Sequence, residues 1–282
     1  MSKIAYLNSK FINFKNAKIH IEDRGLQFSD SVYEVVPFYN KKLIDFKFHI
    51  KRLNYSIKEL QINYTIKENK LEKIFNRIIL LSKLKNGLVY LQLTRGIQSR
   101  DHVFKKKLRP NLIIYAINRK LNLPDNNNFK GEKAITFNDL RWKRRDIKSV
   151  SLLGNVLAKN AAAKKNAYEA ILIDNGIVTE ATASNVWIVK KNKLITHPTN
   201  TDILKGITRQ SIKKLVQSNS LKLVEKCFTL KEMYAADEVF ITSSGNFVTP
   251  IIKIDYKKIN RGKIGKITLK LANLYMNLFR NE

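Results

Sequence analysis

Cysteine is almost absent: one residue, Cys227, in 282. An intrachain disulfide is therefore impossible, and the composition points to a reducing, cytoplasmic setting. Histidine is scarce too. His20, His49, His102 and His197 are too far apart in sequence to form a zinc motif. No run is apolar enough to span a membrane, and Met1-Ser2-Lys3-Ile4-Ala5-Tyr6 shows no secretory hydrophobic region. Acidic residues number only 23 against 53 Lys plus Arg, giving a net charge of +30. The basic residues are spread along the chain and form no arm, tail or readout motif. The charge is thus read as a general bias suited to anionic small molecules, and no nucleic-acid or membrane partner is expected.

What is present is 44% hydrophobic content, enough for a sizeable core. Ile4–Leu7 and Lys10–Phe14 alternate as a hairpin. Ser31–Tyr39 is a β-branched and aromatic strand, and Pro37 in it suggests an edge or bulge position. A further strand is expected over Lys42–Phe46. Phe46, Ile50, Leu53, Ile57 and Leu60 recur at helical spacing, with His49 and Arg52 off that stripe. Leu71, Ile74, Ile78 and Leu81 mark a second helix, and Leu88–Thr94 and Asn111–Ile117 are strands. The polar stretch around Pro124 reads as a linker. The chain is therefore expected to be α+β, with a small N-terminal α/β domain over 1–120, a linker over 121–130, and a larger, mixed, β-rich C-terminal domain over 131–282. In that second part Asp174-Asn175-Gly176 should turn a hairpin. Gly206-Ile207-Thr208 should open an amphipathic helix, and a closing helix should run from Gly265 to Phe279.

Several residues invite chemistry. Lys148 lies in Asp146-Ile147-Lys148-Ser149-Val150-Ser151, just before an Ala-rich helix that Ser149 or Ser151 would cap. Leu152, Leu153, Val156 and Leu157 form that helix's apolar face. Desolvation lowers a lysine's pKa and makes its amine a nucleophile or base. By its segment alone, however, Lys148 reads as one surface lysine among many. Gly206-Ile207-Thr208 and Ser243-Ser244-Gly245 are candidate anion cradles, or plain turns. Glu180 ends a strand among small residues, where it is either solvated or paired with a buried base. Arg100 and His102, two residues apart, aim to one side of an extended loop and suit a carboxylate. An imine lysine, two phosphate cradles, an acid for a ring nitrogen and a carboxylate clamp together make the set a pyridoxal 5′-phosphate site needs.

These residues carry a resemblance. Glu22–Val36, His49–Leu53, Leu93–His102, Arg141–Lys159, Glu169–Val189, Thr196–Arg209 and Ile241–Asp255 are similar, in order and spacing, to the fold-type IV pyridoxal-phosphate enzymes, and within them to the D-amino-acid aminotransferase group. The resemblance implies a two-domain fold and transamination between D-amino acids and 2-oxo acids. It implies pyridoxal 5′-phosphate as cofactor and a homodimer. It casts Lys148 as the Schiff-base lysine and Glu180 as the acid on the pyridine nitrogen. Arg52, Ile207, Thr208 and Ser244 become phosphate ligands, with Ser243 beside Ser244 counted among the cofactor-binding residues, Leu204 the residue on the ring face, and Ser184 an organiser near Glu180. Tyr33, Arg100 and His102 become the clamp for the substrate carboxylate. Branched-chain aminotransferases and aminodeoxychorismate lyases are the alternatives within the family. Two positions depart from the usual pattern: Ser29-Asp30-Ser31 stands for Gly-Asp-Gly, and Ala183 stands for a serine.

Overall fold

A computed structural model describes residues 4–119, 124 and 129–280. The chain divides into two compact units, Met1–Leu121 with Ile147–Ser151, and Asn122–Asp146 with Leu152–Glu282. Most of the expected linker, 121–130, lies outside the described residues.

The first unit is built on a six-stranded sheet: β1 (Ile4–Leu7), β2 (Lys10–Asn13), β3 (Ser31–Tyr39), β4 (Lys42–Leu43), β5 (Gly87–Thr94) and β6 (Asn111–Ile117), in the order β2-β1-β6-β5-β3-β4. Its helices are α1 (Arg24–Phe28), α2 (Phe46–Glu59) and α3 (Glu68–Ser82). Strand alternation sorts the side chains. Val32, Val36, Val89, Leu91, Leu93 and Ile114 join the α2 and α3 stripes in one core, among them Leu53, Ile57, Phe75 and Ile78. Tyr33, Tyr90 and Tyr115 occupy the other face as neighbouring rings, 5.9 and 5.1 Å apart. The strand expected over Lys42–Phe46 is only two residues long, because Phe46 already belongs to α2. Ser29, at the first position of the departure noted above, adopts a left-handed φ of 55°.

The second unit holds a nine-stranded sheet. Its elements are β7 (Glu132–Asn138), α4 (Leu153–Lys164), β8 (Glu169–Asp174), β9 (Ile177–Ala181), β10 (Asn185–Lys190), β11 (Lys193–Thr196), α5 (Ile207–Ser218), β12 (Lys222–Glu225), α6 (Leu230–Tyr234), β13 (Glu238–Ser243), β14 (Phe247–Ile254), β15 (Lys257–Lys258) and α7 (Lys266–Arg280). The order is β12-β11-β10-β13-β14-β7-β8-β9, with β15 beside β14. The β8–β9 turn has positive φ at both Asn175 and Gly176, as a tight hairpin requires.

The Ala-rich helix corrects two expectations. Its N-cap is Leu152 and no side chain caps it; the Ser149 hydroxyl instead accepts from the Ser151 N–H at 3.4 Å. The expected apolar face also points outward, with Leu153, Val156 and Leu157 at 71%, 58% and 50% exposure. The core takes Ala158 and Ala162 against Ile135, Ala170 and Leu172. Small side chains let the helix lie close on its sheet, and packing distance outweighs the hydrophobicity of the larger residues.

Candidate active site

In the first unit the site is organised by β3. Segment Ile147–Ser151 adds to its open edge: the Tyr33 N–H donates to the Lys148 carbonyl at 3.0 Å, the Val150 N–H to the Ser31 carbonyl at 3.1 Å, and Val32 bridges Ser149. The Lys148 N–H donates to the Ser56 hydroxyl on α2 at 3.1 Å. Lys148 is half-buried, and its Nζ sits 4.2 Å from the centre of the Tyr33 ring. The structure thus brings Lys148 and Tyr33 together, on backbone bonds that do not depend on the lysine side chain.

One residue along, Glu34 faces the opposite way, into the core beneath α2. It is fully buried, as is His49, and Arg52 is 7% exposed. Arg52 Nε and Nη2 donate to the two Glu34 oxygens at 2.7 and 2.8 Å, and His49 Nδ1 lies 2.7 Å from Oε2. Against a carboxylate that nitrogen must carry the proton. His49, Arg52 and Ser56 share one face of α2 at i, i+3 and i+7. Burial alone would raise the Glu34 pKa, but Arg52 and His49 outweigh it and hold the carboxyl well below the usual range. Burial depresses His49 from its ordinary 6.5, with Glu34 offsetting only part.

Both shifts have the same thermodynamic sign. In each case the unfolded chain binds protons more readily, so stability is complete above the ordinary pKa and is lost as pH falls. The loss should begin below 6.5 with His49 and continue below 4.5 with Glu34. Urea unfolding at pH 7.5 and 5.5 checks this: His49 accounts for at most about 1.4 kcal/mol per pH unit. A His49→Asn variant should lose correspondingly less, and an equal loss would refute the assignment.

The clamp candidates of this unit meet on another residue. The Arg100 guanidinium stacks 4.7 Å from the centre of Phe28, and the His102 ring lies 5.3 Å from the same ring. Both are exposed, and the Arg100 guanidinium has no hydrogen-bond partner among the described residues. The structure brings these two together, but the contacts found for them do not include Tyr33 or Lys148.

In the second unit Glu180 is 4% exposed and ringed by donors. Arg141 Nη1 donates to Oε1, Asn185 Nδ2 donates to Oε2 at 3.0 Å, and the Leu204 N–H is shared between the two oxygens at 3.2 and 3.1 Å. Burial holds the carboxyl above its ordinary value, and Arg141 and the Leu204 N–H offset only part of that rise. Asp139 forks onto Arg141 Nε and Nη2 at 2.9 and 2.8 Å and accepts from the Thr179 hydroxyl at 2.8 Å. Asn185 also donates to the Leu204 carbonyl at 2.9 Å. A Cβ on Gly206 would come within 2.0 Å of the Asn185 Oδ1, so only glycine admits this approach. Asp139, Arg141 and Asn185 escaped the sequence reading. Asn185 is five residues from Glu180, but Arg141 is 39 away, and no local spacing announces it.

Gly206 caps α5 by backbone alone, without a side-chain hydrogen bond. Ile207 and Thr208 are each 1% exposed, and Thr208 Oγ1 is buried without a partner among the described residues. An orphaned hydroxyl in the first turn of a helix, beside N–H groups that no side chain caps, fits a phosphate. Ser243 closes β13, Ser244 opens the following turn, and both are half-buried. Ser184 is buried, and its carbonyl accepts from the Ala181 N–H at 2.7 Å. Among the described residues no group of three or more His, Cys, Asp or Glu could hold a metal ion.

Comparison with known proteins places these features in context. The family model for class IV amino-transferases matches residues 31–254. D-alanine aminotransferase of Bacillus licheniformis is 39% identical over 275 residues, covering 98% of this chain and 96% of the relative. Among solved structures, the branched-chain amino acid aminotransferase of Escherichia coli superposes with a TM-score of 0.90 at 22% identity, over 99% of this chain and 95% of that one. A putative 4-amino-4-deoxychorismate lyase of Legionella pneumophila superposes with a TM-score of 0.85 at 23% identity, over 94% and 96%. At such identities the structural likenesses establish the fold.

Proposed function

The chain belongs to the class IV aminotransferase family, and from that membership we propose that it moves the amino group of a D-amino acid such as D-alanine to a 2-oxo acid such as 2-oxoglutarate, with pyridoxal 5′-phosphate as cofactor. That it is an aminotransferase follows from the family. The choice of D-alanine is supported by the near-full-length likeness to an enzyme of that name and by the Arg100/His102 pair. The second reading within the family is a branched-chain aminotransferase acting on L-amino acids.

When bound, the cofactor supplies an electron-accepting ring that stabilises negative charge at the substrate α-carbon. The Lys148 amine would hold that cofactor and, as general base, would take up the α-proton and return it. The Tyr33 ring keeps the lysine Nζ at a defined place. Glu180, which accepts hydrogen bonds from Arg141, Asn185 and the Leu204 N–H, would hold a proton on the pyridine nitrogen. Leu204 and Ser184 order the neighbourhood of that carboxylate and the ring face. Arg52, Ile207, Thr208, Ser243 and Ser244 would hold the phosphate. Tyr33, Arg100 and His102 grip the substrate carboxylate and so decide which face of the α-carbon meets the base. A second copy of the chain is the proposed partner, supported by the exposed apolar Leu153, Val156 and Leu157 of α4; sedimentation at twice 32.7 kDa is the check.

A panel of D- and L-amino acids with 2-oxoglutarate tests the substrate choice. Turnover of D-alanine but not L-leucine is expected, and Arg100→Ala should cut kcat/KM for D-alanine by about 10²-fold through the lost charge-assisted bonds. Preference for L-leucine would overturn the reading in favour of the second.

A further inference from the structure

The Glu34–His49–Arg52 cluster lies in the first unit, and neither Glu34 nor His49 has been assigned a part in the chemistry. A buried ion pair is a poor device for stability alone, since apolar residues of the same volume commonly serve as well or better. Three charged or ionisable side chains nevertheless occupy the core under α2, each nine-tenths buried or more. Their geometry is directional. The guanidinium is planar, and a fork through Nε at 2.7 Å and Nη2 at 2.8 Å fixes both its position and the tilt of its plane. The carboxylate that makes the fork is itself held by a third bond, from His49 to Oε2 at 2.7 Å. It also belongs to β3, the strand whose preceding residue, Tyr33, contacts Lys148.

We infer that Glu34 and His49 are positioning residues that set the Arg52 guanidinium for the cofactor phosphate. This rests on the proposed role of Arg52. Held by the fork, the arginine loses little rotamer freedom when an anion arrives, and so binds it more tightly than a free arginine would. The same helix ties the arginine to the lysine: Ser56, four residues beyond Arg52, receives the Lys148 N–H. One helix and one strand thereby hold the phosphate arginine and the imine lysine in a common frame.

The experiment is reconstitution of the full-length chain with pyridoxal 5′-phosphate and, separately, with pyridoxal, which lacks the phosphate. Dissociation constants come from absorbance titration. Glu34→Gln should weaken the phosphorylated ligand by about tenfold or more, as loss of an outer-shell partner does elsewhere, and leave pyridoxal within about twofold. Equal weakening of both ligands, or no change in either, overturns the inference, because a merely structural role does not distinguish them. Glu34→Asp keeps the charge but withdraws it by one methylene, and should shift the ratio in the same direction by less. It stands in if the glutamine variant does not fold. Arg52→Gln separates the inference from the reading beneath it. If that variant leaves the ratio unchanged, Arg52 does not hold the phosphate and the reading fails. If it lowers the ratio while both Glu34 variants keep it, the reading stands and the positioning role is wrong.

Discussion

Lys148→Ala is expected to fold normally and to lose turnover by about four orders of magnitude, the scale that follows from its proposed part as general base and cofactor anchor. The expectation of normal folding comes from the backbone. Lys148 is held by its own carbonyl and N–H, to Tyr33 and Ser56, and by the Ser149 bridge to Val32. None of these needs the side chain. What the substitution removes is an amine 4.2 Å from the Tyr33 ring, worth about 1 kcal/mol as a cation–π contact when partly exposed. The expected signature is therefore a thermal midpoint close to the parent's, a lost borohydride-sensitive yellow colour and near-zero transamination of D-alanine. A variant retaining a tenth of the parent's rate would remove Lys148 from the chemistry and return it to the surface-lysine reading that its own segment suggests.

Glu180→Gln should damage both stability and activity, by separable routes. The side chain keeps its size but loses its charge, while Arg141 stays buried. Removing one partner of a buried ion pair costs about 3–5 kcal/mol. Asp139 still forks onto Arg141, which places the cost toward the lower end of that range. The Gln amide also turns a donor into a ring of donors, so one of Arg141, Asn185 and Leu204 loses its acceptor. For activity, the proposed hold on the ring-nitrogen proton is lost with the charge, and a loss of about 10²–10³-fold is expected, as for other single electrostatic contacts. Urea unfolding and D-alanine turnover measured on the same preparation check the two effects. Lower stability with full turnover would show that Glu180 is only a structural anion for Arg141.

Much of this was readable in the residues themselves. The β-branched and aromatic run Ser31–Tyr39 is the strand it promised to be, and the alternation of any strand then sets Tyr33 and Glu34 on opposite faces of β3. Asp174-Asn175-Gly176 turns the hairpin that ends in Glu180, because two consecutive positive φ angles suit Asn and Gly. Gly206-Ile207-Thr208 opens α5 as its glycine and hydroxyl suggest. Lys148 and Glu180 became legible only through each other's company and the family pattern, since an isolated lysine or strand-end glutamate has no local signature.

Local pattern determined the strands, the amphipathic helices and the turns, because those follow from short-range periodicity and backbone conformation. It also determined the candidate residues, because chemistry restricts which side chain can make an imine or hold a proton. Tertiary structure alone decided the company those residues keep. It brought Arg141 to Glu180 and Arg52 to Glu34 across 39 and 18 residues, joined Ile147–Ser151 to the edge of β3, and turned the alanines of α4 inward while its leucines face out. Ion-pair partners are chosen by distance in the folded chain and helix faces by the room beneath them. Neither quantity exists until the strands have paired.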